Sequence, residues 1–68
     1  MYTISVSPKI SALRELLIRN KWLFYERSND FENYYIQFAD KERAVKCINK
    51  LAKSSPEYKL RAFVEEEF

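Results

Sequence analysis

The sequence predicts a two-layer α+β fold of element order βαββαβ. Three observations carry it. Apolar and polar residues alternate with period two in three segments, the mark of half-buried strands. Apolar residues recur at helical spacing in two others. Between them lie short runs of Ser, Asn, Asp and Pro that interrupt regular structure.

Residues 1–7 set Tyr2, Ile4 and Val6 against Thr3, Ser5 and Ser7, a first strand. Ser7 and Pro8 read as the N-cap and first residue of a helix. Ile10, Leu13, Leu16 and Leu17 form its apolar stripe. Asn20 is placed to end that helix in the left-handed conformation. Residues 22–27, aromatic in character, read as a second strand. Ser28, Asn29 and Asp30 form a turn cluster. Residues 31–39 make a third strand, with Tyr34, Ile36 and Phe38 on one face and Asn33, Tyr35 and Gln37 on the other. Asp40 caps a second helix over 41–53, whose buried arc is Ala44, Val45, Ile48, Leu51 and Ala52 with Cys47 at its border. The run Ser54, Ser55, Pro56 is expected to break it. Residues 58–64 alternate again, with Leu60, Ala62 and Val64 inward and Lys59, Arg61 and Phe63 outward. Residues 65–68 form an acidic end.

This order resembles the split βαβ, or ferredoxin-like, plait. The resemblance implies one domain over residues 1–68, an antiparallel sheet of strand order 4-1-3-2 and both helices on one face. The other sheet face is then left uncovered, and function is sought there first.

Composition narrows the chemistry. The 68 residues include one Cys, no His and no Gly. Cys47 has no partner for an internal disulfide. A structural zinc site lacks ligands, and no cofactor is expected. Without His the commonest general acid–base is missing, and without Gly no phosphate-cradling loop can be written. Cys47, mid-helix beside the apolar arc, reads as structural rather than nucleophilic. Asp30 and Glu32 supply two carboxylates across a hairpin, too few for a metal site. The chain is therefore expected not to be an enzyme. No apolar run approaches the roughly 18 residues that span a bilayer. The first helix carries Lys9, Arg14, Arg19 and Lys21 beside its leucines, but that stripe is needed to cover the sheet. A free thiol and the lack of a recognisable signal segment lead to an expected cytoplasmic location.

On the uncovered face the alternation places Thr3, Ser5, Ser7, Asn33, Tyr35, Gln37, Lys59, Arg61, Phe63 and Glu65. The second strand adds either Leu23, Tyr25 and Arg27 or Trp22, Phe24 and Glu26. Residues 33–44 resemble the third strand and following helix of RNA-recognition-motif domains, which stack bases on aromatics of their two central strands. Tyr35 stands at one stacking position. Asn33 occupies the other, Tyr34 a place the family keeps small, and Thr3 or Ser5 the aromatic place of the first strand. The resemblance implies an RNA- or single-stranded-DNA-binding module. Tyr35 and Arg61 would act with a basic stripe of Arg43, Lys46, Lys50 and Lys53, which lie within roughly 80° of one another on a helical wheel. Residues 41–61 hold seven basic side chains against two acidic ones. The stripe is read first as a solvated helix face, and the acidic end as a solvated end that discourages edge-to-edge aggregation and slightly disfavours nucleic acid.

The reading put first is a small regulatory or inhibitory protein, similar in size to phage or mobile-element inhibitors. It docks on a protein partner, or on itself as a homodimer, through Tyr25, Tyr35, Arg61 and Phe63. Aromatics and Arg are the residues enriched in such contacts.

Overall fold

The computed structural model describes residues 1–66, and the side chains of all of these except Ser55, Glu57, Tyr58 and Glu66. The elements run β1 (Tyr2–Ser7), α1 (Ser11–Arg19), β2 (Phe24–Tyr25), β3 (Tyr34–Phe38), α2 (Lys41–Tyr58) and β4 (Arg61–Glu66). They form one antiparallel four-stranded sheet of order β2-β3-β1-β4, the expected 4-1-3-2 read from the opposite edge. Residues 67 and 68 of the expected acidic end lie outside the described residues.

Register fixes the two faces. Ile4 stands opposite Ile36 and Val64, and Val6 opposite Tyr34 and Ala62. These residues meet Leu13 and Leu17 of α1 and Ala44, Cys47 and Leu51 of α2 in one core, so both helices cover the same sheet face. Ser5 stands opposite Tyr35 and Phe63 on the other face.

Several boundaries differ from the expected ones, each for a local reason. Helix α1 starts at Ser11 with Ile10 at its N-cap, and no side chain caps it. Ser7 instead ends β1 opposite Arg61, and because the helix begins only at Ser11 its hydroxyl stands short of the first turn. The end of α1 is a Schellman motif, in which Trp22 N–H donates to Leu17 O and Lys21 N–H to Ile18 O. The left-handed residue is Lys21 (φ 60°), not Asn20, whose side chain instead donates back to Leu16 O. Lys59 (φ 55°) plays the same part after α2. Strand β3 begins at Tyr34 because the N–H groups of Glu32 and Asn33 both donate to Asp30 Oδ1, leaving none for the ladder. Helix α2 runs through Pro56 to Tyr58. That proline lies in the last turn, where it forfeits one backbone bond and only two helical residues follow. The buried arc of α2 centres on Cys47, with Val45 and Ala52 outside it. Asp40 caps α2 as expected, its Oδ1 accepting Arg43 N–H at 2.8 Å.

Lys21 offers a stability test. A non-glycine residue in the left-handed region costs roughly 1–2 kcal/mol, against about 0.5–1 for the extra unfolded-state entropy of glycine. Lys21→Gly is therefore expected to stabilise the chain by about 0.5–1 kcal/mol, a thermal midpoint a few degrees higher by circular dichroism.

Candidate functional site

The uncovered face resolves the second strand's register. Tyr25 stands opposite Tyr35 and stacks on it, with ring centroids 5.5 Å apart. Phe24 packs edge-on against Tyr34 on the core side. The face therefore takes Tyr25 and Arg27, and Trp22 and Phe24 pack against the core; Leu23, which precedes β2, borders the helix side with Trp22.

This face is roofed by its own side chains. The Arg27 guanidinium lies 3.9 Å from the Tyr35 ring centroid, and it reaches Glu65 at 3.9 Å. Tyr35 is only 5% exposed, and Thr3 and Ser5 beneath are buried as well. Gln37 Nε2 donates to Thr3 Oγ1 at 3.4 Å, so a buried hydroxyl is partnered. The stacking position taken from the RNA-recognition resemblance is thus already occupied, by Tyr25 and Arg27.

The Tyr35 hydroxyl is held too. It donates to Asp30 Oδ2, and Asp30 also accepts from Glu32 N–H, Asn33 N–H and Asn33 Nδ2. Donation by Tyr35 is the largest reason that the Asp30 carboxyl lies well below its ordinary 3.8, followed by the backbone and Asn33 donors. The same bond holds the Tyr35 phenol above its ordinary value, with burial second. A depressed carboxyl pKa contributes stability above the unfolded value and loses it as pH falls from there through the folded value. The thermal midpoint is therefore expected to fall as pH drops below about 4. Asp30→Asn is expected to be less stable at pH 7 and to lose less on acidification. Parallel acid-limb slopes in a thermal-melt pH series would remove this role for Asp30.

Phe63 and Arg61 stay free of this roof. Phe63 is 63% exposed, and Arg61 is exposed beside Phe31 and Lys59 at the loop end of the face. Of the four residues expected to dock a protein, Tyr25, Arg61 and Phe63 are accessible in whole or part. Tyr35 serves as their buried support.

The basic stripe lies elsewhere. Arg43, Lys46 and Lys50 project from α2, on the helix-covered side of the sheet, away from Tyr35 and Arg61. They border a groove of about 470 Å³ with Lys21, Trp22, Leu23, Ile36, Gln37, Phe38 and Cys47. Lys50 Nζ is 6.0 Å from the Trp22 ring centroid. Two of the cations have local carboxylates: Arg43 with Asp40 at 3.6 Å and Lys46 with Glu42 at 3.8 Å. Both pairs are exposed, and such pairs hold a side chain only weakly. Lys53 does not line the groove. Sequence reading passed over Trp22, Phe38 and Lys21 as ligand-facing residues; the adjacency of a cation and an indole at 21–22 was the available signal. Cys47 at the groove floor is buried, and burial pushes its thiol up to about 12, so it is neutral at physiological pH.

Among the described residues no three His, Cys, Asp or Glu side chains gather as a metal site, and no helix is long and apolar enough to cross a membrane. No family model matches the chain, and neither do any curated protein or solved structure.

Proposed function

We propose that the chain is a non-enzymatic binding protein, a ferredoxin-like plait that docks on a protein partner through the uncovered sheet face. The exposure of Phe63 carries this reading. A large apolar ring stands out from the sheet next to a platform whose polar groups are already partnered. Arg61 stands two residues away on the same side of β4, and Tyr25 closes the same row at the opposite edge of the sheet, beyond Ser5 and Tyr35. An aromatic anchor with an Arg beside it is the pattern of an interface centre. The roof over Tyr35 keeps the platform rigid, so little ordering cost attends docking. The test is capture of protein by the immobilised chain from nuclease-treated lysate. Phe63→Ala is expected to lose a protein that the wild type and a Lys46→Glu/Lys50→Glu variant both retain. Equal retention by Phe63→Ala removes the site.

The groove favours a second reading, a single-stranded nucleic-acid site moved from the sheet face to Trp22. Aromatic surface for a base and cations for the backbone adjoin there, and among the described residues no Asp or Glu lines the groove. Trp22 is the sole tryptophan, so its emission reports on the groove directly. At about 50 mM salt an oligonucleotide is expected to quench it, less so at about 200 mM. Lys46→Glu/Lys50→Glu is expected to abolish the quench. An unchanged emission at low salt ends this reading.

A further inference from the structure

Strand β4 is an edge of the sheet, and the device that guards it is charge, placed at its two ends by Arg61 and by the glutamates from Glu65 on, with Ala62, Phe63 and Val64 between them. It runs six residues with no proline, and no lysine lies within it. Apolar side chains stand exposed on both sides of it. Phe63 is on the uncovered face; Val64 is 45% exposed on the helix side, with Val45 of α2 44% exposed beside it. Further along the same side, Ile48, Ala52, Pro56, Leu60 and Ala62 line an apolar cleft. An edge flanked above and below by apolar surface fits a partner strand.

The sequence of β4 indicates which strand. A twofold axis normal to the sheet pairs two copies antiparallel and preserves faces, so residues of equal parity stand opposite each other. Centred on Phe63, this pairing puts Arg61 opposite the partner's Glu65 and Glu65 opposite the partner's Arg61. It sets Ala62 against the partner's Val64 and Phe63 against the partner's Phe63. Charge meets opposite charge twice on the uncovered face, ring meets ring between them, and the aliphatic pairs adjoin the helices. A register centred on Val64 would instead put Phe63 opposite Glu65.

We propose that the chain self-associates through β4 in this register, joining two sheets into one of eight strands. The pairing leaves both helix layers on one side and makes the two uncovered faces continuous. It shares Phe63 and Arg61 with the docking reading above but needs no other protein, so sedimentation of the pure chain tests it separately from capture out of a lysate.

Sedimentation equilibrium from about 10 μM to 1 mM tests it, with expected growth toward twice the 8.2 kDa chain mass. Arg61→Glu and Glu65→Arg each place like charges opposite one another at both symmetry-related positions. Each is expected to weaken the dimer about tenfold. The double variant Arg61→Glu/Glu65→Arg restores complementarity and is expected to regain wild-type association. Both side chains are exposed, and circular dichroism checks that the variants fold. Phe63→Cys is an independent probe, because residue 63 faces its own copy across the axis. With copper–phenanthroline as oxidant it is expected to form a disulfide-linked dimer, while buried Cys47 stays reduced. A monomer at 1 mM overturns the proposal, as does a dimer whose charge variants do not weaken and recover in this pattern.

Discussion

Ile4→Ala is expected to unfold a large fraction of the chain near 37 °C. Ile4 is fully buried at the middle of β1, the only strand with neighbours on both edges besides β3. It lies opposite Ile36 on one side and Val64 on the other, under both helices. Truncating such a residue costs roughly 2–5 kcal/mol, because transfer free energy is lost and the cavity collapses only in part. Typical stability of about 0.05–0.15 kcal/mol per residue gives a chain of this length only about 3–10 kcal/mol in total. One substitution therefore removes a large share. Urea titration followed by Trp22 emission measures it; a midpoint within experimental error of wild type would mean that the core is not organised around β1.

The second large effect concerns Cys47. Its thiol is 1% exposed and displaced toward the neutral form. A disulfide reagent such as Ellman's reagent reacts with the thiolate and needs access to it. Labelling of the native chain at pH 7.5 is therefore expected to be at least roughly 10³-fold slower than in 6 M guanidinium, since opening must precede reaction and each 1.4 kcal/mol of opening free energy is about tenfold. Ile4→Ala should recover much of that rate. Fast native labelling would place Cys47 at a surface and contradict the packing of α2 on the sheet.

Local periodicity made much of this architecture legible. Alternation assigned Ile4, Val6, Ile36 and Val64 to one face and Ser5, Tyr35 and Phe63 to the other, because side-chain direction in a strand depends on parity alone. It failed where an outcome depends on a distant residue. Whether Tyr25 or Phe24 faces the core was settled by Tyr35 and Tyr34 on the neighbouring strand. Tyr35 was read as open to a ligand, yet Arg27 reaches across from beyond β2 to cover it, and no spacing within either segment encodes that. The basic stripe of α2 was visible. Its company was not, since Trp22 meets Lys50 only after the sheet has formed. Pro56 and Ser7 differ from expectation for a simpler reason: each residue type has two common uses near an element's end, and where α2 ends and α1 begins decides between them.

The pairing of β1 with β4 also bears on how quickly the native state is reached. Tyr2 lies opposite Glu66, so closing this ladder joins nearly the ends of the described chain. Closure entropy grows with the length of the loop, and topologies rich in such distant pairings fold slowly for their size. Until β4 docks, β1 has β3 on one side and an empty rank of backbone groups on the other. A chain in which β4 had not docked would be a three-stranded sheet with its most buried strand as an edge. Late closure of that one ladder would leave this edge exposed for the longest part of folding.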